Sequence, residues 1–311
     1  MYKKLSKIST VGMSHEEWLE HRRNTIGGSD ASAILGMNAY SSPYSVWAEK
    51  LGKLPPKEDN EAMRIGRDLE AYVAQRFTEK TGKKVRRENN ILWNPDFPFA
   101  HANVDRMVIG EDAGLECKTT SSLNLSKFKN GEFPDNYYVQ CVHYLMVTGC
   151  KRWYLGVLVL GKGFFDFVIE RDEEEIKALA KSEADFWEYV KSKTPPAVDG
   201  AESTSKTIST IFPNSNTETV NLFAYEADLK SYMTFCSLIK DVEKQRDECA
   251  NRIKAFLGEA GNGESDGYKV SWRKSSRANF DHKRFAEDHP NVDLTNYYKI
   301  SPYRTFKVTE R

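Results

Sequence analysis

The chain lacks a charge of one sign: 45 Lys and Arg residues balance 45 Asp and Glu residues over 311 positions. A wholesale basic surface of the kind many nucleic-acid binders carry is thereby excluded. Any anion-binding groove must be built locally, from motifs. No stretch approaches the roughly 20 apolar residues that a membrane helix requires. The opening segment, Met1 to Met13, is polar and Lys-bearing, so neither a membrane span nor a secretion signal is expected. Cysteine is sparse and odd in number: Cys117, Cys141, Cys150, Cys236 and Cys249, with no CxxC pair. That argues against a disulfide framework and against zinc or iron–sulfur sites, and for a reduced cytoplasmic protein. Internal repeats and long low-complexity segments are also missing.

What is present suffices for a globular core, since hydrophobic residues make up 40% and charged residues 29%. The first two-thirds alternate helix-like and strand-like patterns, as a mixed α/β core does. Ser14 and Glu17 form a capping-box pattern ahead of a short helix through Trp18 and Arg22. Gly27-Gly28-Ser29-Asp30 breaks the chain before a helix restarts over Ala31 to Leu35. Residues 61–80 carry an apolar stripe, Ile65, Leu69, Val73 and Phe77, at spacings of four, and stop at Gly82. Strands are expected over Lys84 to Trp93, Ala102 to Ile109 and Gly114 to Thr119, and a helix over Asn136 to Val147. A hairpin is expected around Gly161-Lys162-Gly163 and a helix over Glu173 to Lys193. These assignments place a core domain at residues 1–196. A Ser-, Thr- and Asn-rich stretch, 197–222, reads as a linker. An extension over 223–311 holds a long helix, about Ala224 to Leu257, and strands at Tyr268 to Trp272 and Tyr303 to Val308.

The informative chemistry lies between Val104 and Lys118. If Gly110-Glu111-Asp112-Ala113-Gly114 is a hairpin turn with Ile109 opposite Gly114, Asp105 lies opposite Lys118 and Met107 opposite Glu116. Glu116 and Lys118 share a face by the two-residue alternation of a strand, with Asp105 diagonal to Glu116. Two carboxylates and one ammonium then meet. A hard cation such as Mg²⁺ or Mn²⁺ relieves the repulsion by oxygen ligation and activates a water for phosphate chemistry. The same trio also fits a salt-bridge cluster on an edge hairpin. Glu70 borders the long helix's apolar stripe, where it could hold a metal-bound water or pair with Arg67. Gly66, in mid-helix, shares its face and could admit a second backbone or a DNA strand. Gln140 and Tyr144, four apart, could line the same cleft.

The assembled pattern resembles the PD-(D/E)xK nuclease superfamily, and more narrowly the YqaJ-type viral recombinases, relatives of the phage lambda exonuclease. The family's acid pair and lysine fall on Asp105, Glu116 and Lys118, with Glu116-Cys117-Lys118 matching E-x-K. Its G-x-x-x-E run falls on Gly66 to Glu70, and its glutamine on Gln140. The proline that often precedes the first acid is replaced by Asn103-Val104. Trp18-Leu19, Arg22, Ile26-Gly27-Gly28-Ser29-Asp30, Ser42-Pro43-Tyr44 and Trp47 look like the family's opening motif. The resemblance covers about residues 14–193.

It implies a restriction-endonuclease-like α/β core, a mixed sheet flanked by helices, followed by the long-helix and small β extension. It implies metal held by Asp105, Glu116, the Cys117 backbone carbonyl and Glu70 through water, and a 5′-phosphate held by Arg22 and Ser29. A bare helix cap is the other role open to Ser29. Magnesium or manganese is expected, as two ions. The implied activity is 5′-to-3′ digestion of double-stranded DNA ends during phage-type recombination. The implied partners are a single-strand annealing protein and further copies of the chain in a trimeric ring. The implied setting is the cytoplasm of a bacterium carrying a phage or prophage. Two other functions fit the same residues: a restriction- or repair-type endonuclease, and a DNA-end-binding protein with an inactive site. In the extension, Trp272, Arg273, Lys274 and Arg277 form a basic aromatic patch that suits either DNA or a solvated strand edge.

Overall fold

The structure is a computed structural model describing residues 5–56, 58–299 and 301–310. Residues 1–4, the head of the segment read as free of a secretion signal, lie outside the described residues. The chain forms two compact units, residues 1–212 and 213–311.

The first unit opens with strand β1 (Ser6–Ser9) and helices α1 (His15–Arg23), α2 (Gly28–Ile34) and α3 (Pro43–Lys50). Ser14 caps α1 through the expected reciprocal bonds with Glu17. Helix α2 begins three residues earlier than expected. Its N-cap is Gly27, whose N–H is taken by the Asp30 carboxylate at 3.0 Å, so a local side-chain cap starts the helix inside the Gly-Gly pair. Helix α4 (Glu61–Thr81) ends at Gly82, which adopts φ +73° as a left-handed C-cap. Strands β2 (Val85–Arg87), β3 (Asn90–Trp93), β4 (Ala102–Asn103), β5 (Arg106–Val108) and β6 (Ala113–Thr120) follow, then helix α5 (Asp135–Thr148). The expected hairpin is β7 (Arg152–Val159) and β8 (Gly163–Glu170), and helices α6 (Glu173–Ser192) and α7 (Glu202–Ile211) complete the unit.

The main sheet has the order β2-β5-β6-β7-β8. Only the central pair, β6 and β7, is parallel. A small sheet, β1-β3-β4, stands beside it. Alternation along β6 splits the sheet into two faces. Leu115, with Cys117 beside it, packs with Ala74 and Phe77 of α4 and with Tyr154 of β7. On the opposite face Trp153, Leu155 and Val157 of β7 pack with Leu145 and Met146 of α5 and Ile176 and Leu179 of α6. The sheet therefore runs between two helical layers, as expected.

Two expectations need correction here. Residues 197–222 are not simply a linker, because α7 belongs to the first unit. Its Thr204 and Thr207 are buried, and the Thr204 hydroxyl donates to Asp199 at 2.5 Å and shares a 2.6 Å bond with the Ser42 hydroxyl. Ile208 and Ile211 pack against Trp47 and Phe186. Side chains that read as loop-forming become core once their hydroxyls have partners. The strand expected over Tyr303 to Val308 is absent from residues 301–310, and Tyr303 and Phe306 are exposed. An alternating apolar pattern forms a strand only where an edge is available to pair with.

The second unit consists of helix α8 (Glu226–Leu257), the hairpin β9 (Asn262–Glu264) and β10 (Lys269–Ser271), and helix α9 (His282–Asp288). None of its described residues is buried. Along α8, Tyr232, Phe235, Ile239, Val242, Ile253 and Phe256 are all exposed. Among the described residues no helix is long and apolar enough to cross a membrane.

Candidate active site at the end of the central strands

Strand β6 carries Glu116 and Lys118 toward α5, the outcome expected from alternation. The hairpin that brings Asp105 to them exists, with its register two residues from expectation. Met107, not Ile109, faces Gly114. The turn takes up two more residues because Ile109 leaves the pair and donates its N–H to the Lys84 carbonyl at 2.8 Å, while Gly110 turns at φ +84°. A slip of two preserves the face of every side chain, whereas a slip of one would have reversed it. Asp105 therefore still reaches the site, and its Oδ2 accepts the Cys117 N–H at 2.8 Å.

Glu116 is 3% exposed. Its Oε1 accepts from Lys118 Nζ at 2.6 Å and from Gln140 Nε2 at 2.8 Å. Its Oε2 is buried with no hydrogen-bond partner. Lys118 Nζ also donates to Gln140 Oε1 at 2.9 Å and lies 5.3 Å from the Tyr137 ring centroid. The second Gln140 N–H donates to the Tyr144 hydroxyl at 2.8 Å. Gln140 thus spends its whole amide holding one carboxylate, one ammonium and one phenol in place.

The electrostatics follow from this crowding. Burial, then the charges of Glu116 and Glu70, push the Asp105 carboxyl well above the usual carboxylate range. Burial works against the Lys118 ammonium, but Glu116 outweighs it and the pKa is raised. Lys118 stays protonated at any physiological pH, so it acts as a cation and not as a base.

Glu70 does not take Arg67 as its partner. It pairs with Arg106 and lies 3.8 Å from Arg87, while Arg67 pairs with Asp59. Arg106 is 5% exposed and also donates to the Asp105 carbonyl at 2.7 Å. It ties Glu70 to the start of β5, next to the first acid. Gly66 has open space around it, with nothing beyond its own helix backbone and chain neighbours within 4 Å of where a side chain would start. Among the described residues no three His, Cys, Asp or Glu side chains converge as a metal group. The unpartnered Glu116 oxygen and the uncompensated Asp105 carboxyl nevertheless fit a hard cation held by two carboxylates and completed by backbone oxygen and water.

Arg22 and Ser29 also come together: the guanidinium donates to the Ser29 hydroxyl at 2.9 Å and lies 4.9 Å from the Trp18 ring centroid. Ser29 is exposed and sits second in α2, so it is not the cap. The two clusters meet where α2 packs on α5. Tyr144 packs so tightly on Gly28 that a side chain there would begin 2.6 Å from its ring, and Tyr144 holds Gln140. Arg106, Tyr137, Asp30 and Lys50 all line these clusters, and no sequence motif singled out their roles. Their pairings span long separations that local pattern does not report.

A YqaJ-like viral recombinase domain matches residues 17–151. The uncharacterized protein YqaJ of Bacillus subtilis is 37% identical over 304 residues, covering 96% of this chain and 95% of that protein. Among solved structures, LHK-Exo, an alkaline exonuclease from Laribacter hongkongensis, superposes with a TM-score of 0.50 at 20% identity, covering 57% of this chain and 93% of that one. The same protein in complex with dAMP gives the same values. The fold is thus that of LHK-Exo, and by identity along nearly its whole length the chain belongs to the YqaJ-like viral recombinase family.

Proposed function

We propose that the protein is a metal-dependent deoxyribonuclease that digests double-stranded DNA from its 5′ ends, leaving a 3′ single strand for recombination. The observation that carries this reading is the pairing of a buried, unpartnered Glu116 oxygen with a crowded Asp105, next to an ammonium fixed by Glu116 and Gln140. A bare salt-bridge cluster would leave no acid oxygen buried and unsatisfied. Asp105, Glu116 and the Cys117 carbonyl would hold Mg²⁺ or Mn²⁺, as two ions, with Glu70 contributing through water. Bound metal supplies an acidified water and neutralises phosphate charge. Lys118, always charged, orients the attacking water and stabilises the negative charge that builds on the phosphoryl oxygens. The water oxygen attacks phosphorus as its proton passes to bulk water, the scissile P–O bond breaks, and the leaving oxygen takes up a proton from bulk water. Gln140 keeps Lys118 and Glu116 in that geometry. Arg22 and Ser29 hold a terminal 5′-phosphate, fixing the distance from the end to the scissile bond. A cleft of about 490 Å³, lined by the aromatic rings of Tyr40, Phe128, Phe133 and Tyr137 together with Lys127, Glu132 and Asp135, gives the strand an aromatic bed next to Lys118.

By the same family likeness the chain works as a homo-oligomer, a trimeric ring, with a single-strand annealing protein, in the cytoplasm of a bacterium carrying a phage or prophage. The deciding experiment compares linear with covalently closed circular duplex in Mg²⁺, in Mn²⁺ and in excess chelator. Only the linear form should be degraded, and only with metal. Asp105→Ala, Glu116→Ala and Lys118→Ala should each lower the rate more than about a hundredfold with folding unchanged by circular dichroism. Cleavage of closed circles would indicate an endonuclease. Binding of ends without hydrolysis in either metal would indicate an inactive end-binding protein.

A further inference from the structure

Behind Arg22 lies a pair of charges that the reaction itself does not use. Lys50, the last residue of α3, and Asp30, in the first turn of α2, are 5% and 6% exposed. Their contact, Lys50 Nζ to Asp30 Oδ2, is 2.6 Å. Lys50 Nζ also donates to the Arg22 carbonyl at 2.7 Å. Asp30 Oδ2 accepts the Gly27 N–H at 3.0 Å, and Asp30 Oδ1 stands 3.6 Å from the Arg22 guanidinium. A buried ion pair is poorly explained by stability, because well-packed apolar replacements usually serve as well or better. This one touches Arg22 at both its backbone and its side chain.

We infer that Lys50 is a positioning residue for the 5′-phosphate pocket: by neutralising Asp30 it keeps the Arg22 guanidinium free to bind the phosphate, while its bond to the Arg22 carbonyl fixes where that guanidinium starts. The inference rests on reading Arg22 and Ser29 as phosphate ligands. Without Lys50, the buried Asp30 carboxylate has Arg22 as its nearest cation, already 3.6 Å away. A desolvated carboxylate would draw the guanidinium inward and bond it, and an arginine so engaged has less to offer a phosphate. With Lys50 present, these three side chains sum to one positive charge, placed on the one member that reaches the surface. The neighbouring histidine is consistent with that. Burial, then Lys50 and Arg22, hold His101 well below its usual pKa, so it adds no competing charge. It accordingly serves as packing, its ring against Gly27 and its Nδ1 2.8 Å from the Thr25 hydroxyl.

The test compares rates on linear duplex carrying 5′-phosphate or 5′-hydroxyl ends, for the unaltered enzyme, Lys50→Met, Asp30→Asn and the double variant. The quantity read is the ratio of kcat/KM on the two ends. The unaltered enzyme should favour phosphate by roughly tenfold to a hundredfold, the range of a charge-assisted hydrogen bond. Lys50→Met should bring the ratio close to one, mainly through KM for phosphorylated ends. Asp30→Asn should keep the preference. The double variant should regain it, because no carboxylate remains to capture Arg22. A purely structural pair would show no such rescue. Lys50→Met with an undiminished ratio, or a double variant as indifferent as Lys50→Met, overturns the inference. If Lys50→Met does not fold, Asp30→Asn and the double variant still decide: a lower ratio in the double variant overturns it. An unaltered enzyme with equal rates on both ends removes the phosphate pocket itself, and the inference with it, which is a separate result from the loss of either variant pattern.

Discussion

Asp105 shows how a site can be costly to the fold that carries it. Its carboxyl is raised well above the usual range by burial, then by Glu116 and Glu70. A group whose folded pKa exceeds its unfolded value contributes stability at low pH and loses it as pH rises through the folded pKa. Without a divalent cation, Asp105→Asn should therefore melt a few degrees above the unaltered protein at pH 8, and the gap should close toward pH 4. Metal binding requires the ionised carboxylate, so the rise in Tm on adding Mg²⁺ should be larger at pH 8 than at pH 5.5. A metal effect independent of pH would separate Asp105 from the metal. A second buried pair behaves differently. His143 Nδ1 lies 2.7 Å from Glu183 Oε1 and Nε2 2.8 Å from the His101 carbonyl. Burial opposes the imidazolium, yet Glu183 outweighs it and the His143 pKa is raised. Its stabilisation is complete below the ordinary histidine range and fades as pH rises through the folded value. Glu183→Gln should cost about 3 kcal/mol or more near pH 6, and less at pH 9, by denaturant titration at both values.

At the scale of elements, the packing of α2 on α5 joins the cluster of Arg22 and Ser29 to that of Gln140, Glu116 and Lys118. Gly28 is the residue that permits it: an added Cβ would stand 2.6 Å from the Tyr144 ring and 3.2 Å from Gln140 Cγ. Gly28→Ala should therefore cost about 1–3 kcal/mol as overpacking. It should also lower kcat, because Gln140 is displaced from Glu116 and Lys118. Gly36→Ala makes a suitable control: its left-handed φ of +70° strains the backbone, but nothing lies within 4 Å, so it should destabilise without a matching loss in kcat. Equal kcat in the two folded variants would uncouple the helices. Of the elements, the helices were the most legible. Ser14 with Glu17, Gly82 after Thr81, and the stripe through Val73 and Phe77 each announce a boundary or a face within a few residues. The hairpin register was not legible, because the bond from Ile109 that shortens the ladder goes to Lys84, just before β2 and 25 residues earlier in the chain. Helix α7 was hidden for a related reason, as Thr204 finds its partners in Asp199 and in the distant Ser42.

At the scale of the whole molecule, every buried hydrophobic residue among the described residues lies at or before Val190, within the first unit. Residues 1–212 should fold alone with a cooperative thermal transition, followed by circular dichroism, whereas residues 213–311 alone should melt without one. The full chain should have three times its 35.6 kDa mass by light scattering if the ring reading holds. A monomer across the working concentration range would remove the ring from the account.

The sequence by itself determined the family, the alternation of helices and strands, and the identity of Asp105, Glu116, Lys118, Gln140, Arg22 and Ser29 as the residues of interest. These are legible because periodicity, caps and short motifs are local, and a strand's two-residue repeat survives an even slip in register. Only the tertiary structure decided that Glu70 turns to Arg106, that Lys50 neutralises Asp30 behind Arg22, and that one Glu116 oxygen is left buried without a partner. Those are charge balances among residues 20 or more positions apart, set by which groups lose water together on folding, and no local pattern encodes them.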